Sequence, residues 1–188
     1  MSDFSPANYG PTMAALIDPD RLNDLGDNGG NSEAWDLLSG LTVESAFLHQ
    51  PVADREMAKC CISGLWLHHD FLHESHELSQ DIHSTSGSYW HGIMHRREGD
   101  FSNAKYWFRN AGDHPAFEEL PGQIAGIEMT AAASELARLA SDAWDAAGFV
   151  DLCRQAVRGN AELVKLCQHV ARLEWQCLFD FCYDQATT

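Results

Sequence analysis

A chain of 188 residues, 45% hydrophobic and 21% charged, has the composition of one folded domain with a sizeable core rather than of a disordered segment. Its 28 acids against 12 Lys plus Arg give a formal net charge of −16, a field that opposes binding to nucleic acid or to anionic membranes. No apolar run approaches the ~20 residues that span a bilayer, and the start, MSDFSPANYGPTM, lacks a basic stretch followed by an apolar one, so a cytoplasmic protein is expected.

Residues 1–31 carry Pro6, Pro11, Pro19 and a GDNGGN run, and read as an irregular arm lying on the surface or against a neighbour. A single helical domain is expected over 32–188. Ser32 is placed to cap a short helix closed by Gly40, and Thr42 with Ser45 opens a second one before Pro51. Asp54 then caps what reads as one long central helix to about Ile82. Ile62, Leu65, His69, Leu72, His76 and Ser79 recur along it at steps of three and four.

Ser88 is expected to cap the next helix, which stops at Gly99, and Asp100 or Ser102 starts another through Ala111. Gly92, Gly99, Phe101, Ala104, Phe108 and Ala111 follow the small and aromatic positions of one tetratricopeptide unit. No second copy follows, so the pattern predicts a tight helical hairpin at about 89–111 and not a repeat array. An Ala-rich helix is expected from Gly122 to about Leu139, then Ala147–Val157, and a last helix from Asn160 to about Tyr183. The last helix has an apolar stripe at positions 163, 166, 170, 173, 177 and 181, with Glu174 on its flank. Nothing alternates as a strand would. The expectation is all-α, a bundle of about seven or eight helices around one core. The six cysteines form no C-x-x-C pair and read as reduced, buried thiols.

Two clusters could carry chemistry. The stretch HHDFLHESHE brings His69, His73 and His76 within about 60° of one another on a helix, and His91, His95 and Glu98 share a face of the next helix. Antiparallel packing would form a cage of His69, His76, His91, His95 and Glu98, suited to zinc, manganese or iron. The Glu-x-x-His of ferritin-like di-iron sites is absent, since Glu77 follows Glu74. His69-Asp70 also matches the metal-binding pair of HD-domain phosphohydrolases, but the helix is expected to run through it. The bland alternative is that these histidines are solvated or bonded to local carboxylates, His73 above all.

The second cluster is Arg96, Arg97, Asp100 and Lys105, walled by Trp90 and Trp107. It can serve as an anion clamp or as a structural ion network. Glu174 is a possible partner for Arg96. No G-x-S-x-G, phosphate-binding glycine loop or dinucleotide fingerprint is present.

The segments GLWLHHDFLHESHELSQ, GSYWHGIMHRREGDFSNAKYWFRNAGDHP and EWQCLFDFCYDQA resemble those of a group of bacterial proteins of similar size that has no established activity. The resemblance spans about residues 58–185 and is carried chiefly by HRREGDFSNAKYW. It implies no reaction and no catalytic residue. The expected partner is therefore a metal ion or a small anionic metabolite, held in a His/Arg/carboxylate pocket of a possible metal-assisted enzyme. The competing expectation is a non-catalytic scaffold with an aromatic surface over residues 101–117. Neither nucleic acid nor membrane is expected as a partner.

Overall fold

Side-chain caps begin most of the longer helices. Asp54 accepts from Glu56 and Met57 N–H to start α4, Ser84 from Gly87 to start α6, and Asp100 from Asn103 to start α7. Asp145 and Asn160 do the same for α10 and α11. The computed structural model describes residues 4–127, 133–141 and 143–188, and among these the regular structure is helical, with no strand. The helices are α1 (Gly10–Ala14), α2 (Trp35–Ser39), α3 (Val43–Ala46), α4 (Arg55–His68), α5 (Leu72–Ser79), α6 (Thr85–Glu98), α7 (Phe101–Ala111), α8 (Leu120–Ala125), α9 (Ala133–Leu139), α10 (Ala146–Ala156) and α11 (Ala161–Thr187). No helix among the described residues is long and apolar enough to cross a membrane.

The centre of the molecule is α6, not the helix before it. Residues Ser86–Arg97 are all buried, so this helix meets protein on every side. It starts a turn earlier than Ser88 suggested, because Ser84 is the cap. Its partner α7 follows after Gly99, whose φ of 89° is one a glycine adopts without penalty. Gly92 lets the pair approach: a Cβ there would lie 2.8 Å from the Phe108 ring. The expected hairpin is present on that packing.

The expected long helix is two helices. It ends at His68, and Asp70 takes a positive φ of 66° before α5 begins. A left-handed aspartate costs about 1–2 kcal/mol. The compensation comes from the arm, whose Arg21 Nη2 and Asn23 Nδ2 donate to the Asp70 carboxylate at 2.7 and 2.8 Å. Arg97 of α6 pairs with the same carboxylate. The last carbonyls of α4 are also taken: Leu67 by Arg97, His68 by Asn23 and His69 by the Asn31 N–H. A periodic pattern alone carries no trace of these partners, so it read straight through the break.

The arm therefore packs into the chain's own core and does not lie loosely on the surface. Tyr9, Met13, Leu16 and Ile17 are buried, and the Tyr9 ring meets Phe179 and Tyr183 of α11 edge-on at 5.0 Å. Asn31, rather than Ser32, caps the turn before α2. The buried row of α11 runs through Leu163, Cys167, Val170, Glu174, Leu178 and Cys182, rotated from the expected stripe so that Glu174 sits at its centre. All six cysteines are free; five are buried and Cys177 is half-buried. The expected Ala131–Ala133 packing lies outside the described side chains.

Candidate functional site

Three histidines converge where α5 crosses α6. Ser63 of α4 and Ser75 of α5 meet at 2.8 Å through their hydroxyls and fix α5 against α4. This leaves half-buried His76 turned toward α6, with ring centroids 4.6 Å from His91 and 5.5 Å from His95. His91 and His95 stand one turn apart, and their Nε2 atoms face each other at 2.9 Å. One ligand nitrogen from each of His76, His91 and His95 lies within 4.8 Å of the other two. Among the described residues no other group of three His, Cys, Asp or Glu is so arranged.

The hydrogen bonds around the group define its protonation. His95 Nδ1 donates to Glu98 Oε2 at 3.0 Å, which leaves a lone pair on Nε2, and Asn103 Nδ2 donates to that Nε2 at 3.0 Å. The Trp107 ring stacks on His91 at 4.1 Å. Burial, then the neighbouring His95 and His76, push the His91 pKa down to about 4. Burial and His95 likewise lower His76. Both are therefore neutral at pH 7, the form in which imidazole binds a metal.

His91 is left with an unresolved conflict. Its Nδ1 is buried without a hydrogen-bond partner. A proton on Nδ1 sets two lone pairs against each other at 2.9 Å. A proton on Nε2 removes that clash and strands Nδ1. A cation bound by both Nε2 atoms would remove that clash with the proton kept on Nδ1.

His69, expected in the same cage, is elsewhere. Its Nε2 meets the Leu16 carbonyl at 2.7 Å and its Nδ1 meets Asn31 Nδ2 at 3.1 Å, so both ring nitrogens are engaged by the arm. The helix break after His68 turns it away from the face it was expected to share with His76. The HD-type pair fails on the same grounds: the helix does end there, but His69 and Asp70 are both fully committed to protein partners. Glu98 acts on the group through His95. His73 is exposed.

The second predicted cluster is distributed over several structural roles. Arg96 is buried and pairs with Glu174 of α11, Nη1 to Oε1 at 3.2 Å and Nη2 to Oε2 at 2.5 Å. The Tyr89 hydroxyl donates to Glu174 Oε1 at 2.7 Å, and Phe149 covers the guanidinium at 4.6 Å. Arg97 serves Asp70 and the end of α4. Asp100 caps α7, and Lys105 bridges to Asp151 of α10 at 2.6 Å. Trp90 is wholly buried in the core, while Trp107 does wall the histidine site. Around residues 101–117 Tyr106 is exposed, but Phe108 and Phe117 are buried.

Sequence reasoning missed Asn103, which reaches the site because it lies on the first turn of α7, next to the last turn of α6. Its only advance signal was the short connection at Gly99, which brings those two turns together. No family model, curated protein or solved structure matches the chain.

Proposed function

We propose that this protein binds a divalent transition metal through His76, His91 and His95. The observation that carries the reading is the 2.9 Å approach of His91 Nε2 to His95 Nε2, with His91 Nδ1 left without a close partner. Bonds of about 2.0–2.1 Å set tetrahedral ligand nitrogens roughly 3.3 Å apart, so His91 and His95, 2.9 Å apart, need only small shifts to take the ion, and Asn103 Nδ2 yields its place on His95 Nε2 to it. An all-imidazole set favours zinc over manganese, which prefers oxygen ligands. Glu98 orients His95 from behind, the usual role of an outer carboxylate at a metal-bound histidine. Three protein ligands leave a fourth position open, as in metal sites that hold a water or a substrate atom rather than in closed structural sites.

The test is titration of chelator-treated protein with zinc and with manganese, followed by calorimetry and thermal melts. One equivalent of zinc should bind, more tightly than manganese. At a hundredfold excess over Kd the ligand stabilises by about 2.7 kcal/mol, and so raises Tm by roughly 5–10 °C for a chain of this size. His91→Ala and His95→Ala should abolish the effect, and Glu98→Gln should weaken binding about 10–100-fold. Zinc uptake that is not stoichiometric, or that persists in His91→Ala, rules the reading out.

A further inference from the structure

The three imidazoles of the metal site come from α5 and α6, and the groups that face it from α7 are Asn103 and Trp107. These two stand four residues apart, so they share one face of α7. His91 and His95 are buried, while His76, Asn103 and Trp107 are half-buried. The α6 histidines therefore form the floor of the site. Its rim is His76 on one side and the α7 pair on the other.

The end of Asn103 that looks into the site is set by a chain of hydrogen bonds. Glu98 accepts the proton of His95 Nδ1 at 3.0 Å, so His95 Nε2 carries a lone pair. The amide NH2 of Asn103 meets that lone pair at 3.0 Å, where its carbonyl oxygen would be repelled. Among the described residues this Nδ2 has no acceptor outside the His95 ring. The side chain has no part in starting α7 either, because Asp100 caps the backbone N–H of Asn103.

An ion on His95 Nε2 takes the lone pair and leaves the amide without its acceptor. The acceptor then nearest to hand is the atom on the ion's fourth position. Three neutral imidazoles do nothing to offset the double charge of the ion, so an anion is favoured there over a neutral ligand. Glu77 and Glu98, the carboxylates that act on His76, are exposed and screened by water, whereas a ligand on the ion is in direct contact with it. The ligand that suits both the ion and the amide is a small anion whose ligating atom keeps a spare lone pair, as in hydroxide, a carboxylate or azide.

From this we infer that Asn103 positions an anionic ligand on the open position of the metal. Its Nδ2 donates to His95 Nε2 when no ion is bound, and to the ligating atom of the anion when one is. This role rests on the metal reading above and adds to it the class of the fourth ligand.

In the experiment, chelator-treated full-length protein is loaded with one equivalent of cobalt(II), whose visible bands report on its ligands. It is then titrated with sodium azide and, separately, with imidazole at matched ionic strength. Bound azide keeps a lone pair on its ligating nitrogen for Asn103, whereas bound imidazole keeps none. Wild type should bind both saturably. Asn103→Leu keeps the size and removes the donor, so it should lose azide affinity roughly tenfold to a hundredfold, as for a hydrogen bond to a charged group. Its cobalt and imidazole affinities should stay at the wild-type level, and Asn103→Ala should lose azide affinity to the same degree. Absence of one-to-one cobalt binding overturns the metal reading and this role together. Cobalt bound one-to-one without an azide-dependent change, azide bound as tightly by Asn103→Leu as by wild type, or azide and imidazole weakened equally overturns the role of Asn103 alone.

Discussion

Glu174 shows how a single carboxylate is kept at the centre of an apolar face. It is fully buried on α11, yet both oxygens are occupied by Arg96, and Tyr89 adds a further donor. A buried pair of this kind adds little net stability compared with apolar residues of equal volume, but losing one partner strands a buried charge. Glu174→Leu is therefore expected to cost about 3–5 kcal/mol in urea denaturation, whereas Glu174→Leu with Arg96→Met should regain most of that loss. A single variant as stable as wild type would show that the charge on Arg96 is relieved in some other way.

At the scale of the element, α6 joins two chemistries on one rod. Its histidine face looks to α5 and to Asn103 and Trp107 of α7, and its arginine face looks to α4, α11 and the arm. The close seam between α6 and α7 holds the first face in shape. In Gly92→Ala the new methyl would meet the Phe108 ring at 2.8 Å, backed by the Arg96 guanidinium 5.7 Å from that ring. Overpacking of this kind costs typically 1–3 kcal/mol. The expected outcome is a lower urea midpoint together with weaker zinc binding, because Asn103 and Trp107 move with α7. Unchanged zinc affinity in a destabilised Gly92→Ala would mean that α7 does not support the metal centre.

For the molecule as a whole, burial of neutral histidines predicts acid sensitivity. Burial, with His69 and Arg21 beside it, pushes His68 down to about 3, and burial pushes His114 down to about 4. Both sit in hydrogen bonds that need a neutral ring: His68 Nε2 accepts from the Asp18 N–H, and His114 Nδ1 from the Ala116 N–H. The unfolded chain protonates these rings near the usual value of about 6.5, where the folded chain does not, so it binds more protons below that pH. Stability is therefore full above pH 6.5 and falls as the pH drops from 6.5 toward 4. Asp70 extends the loss at lower pH. Burial would raise its pKa, but the Arg97 charge and the hydrogen bonds from Arg97, Arg21 and Asn23 outweigh this and hold it below its ordinary 3.8. Urea midpoints measured from pH 8 to 4 should be level at first and then decline steeply. A flat profile through pH 5 would contradict the buried neutral state of His68 and His114.

The sequence alone determined the helical class, most of the caps and the α6–α7 hairpin, because each of these depends on residues a few positions apart. Asp54, Thr42, Asp100 and Asn160 cap where their spacing indicated, and the Gly92 and Phe108 pattern carried the hairpin. It also placed His91, His95 and Glu98 on one face, since they share one helix. What it could not supply were the partners that are distant along the chain. The break at Asp70 exists because Arg21, Asn23 and Arg97 converge there, and that break is what separates His69 from His76. Glu174 was expected on the flank of its stripe and named as a partner for Arg96; the pairing is present, but at the buried centre of the helix face. A cavity between the arm, α6 and α11 joins residues from 18 to 176 that no local pattern connects. Periodicity reports which face of an element is apolar; only the packed chain decides which polar groups on that face find one another.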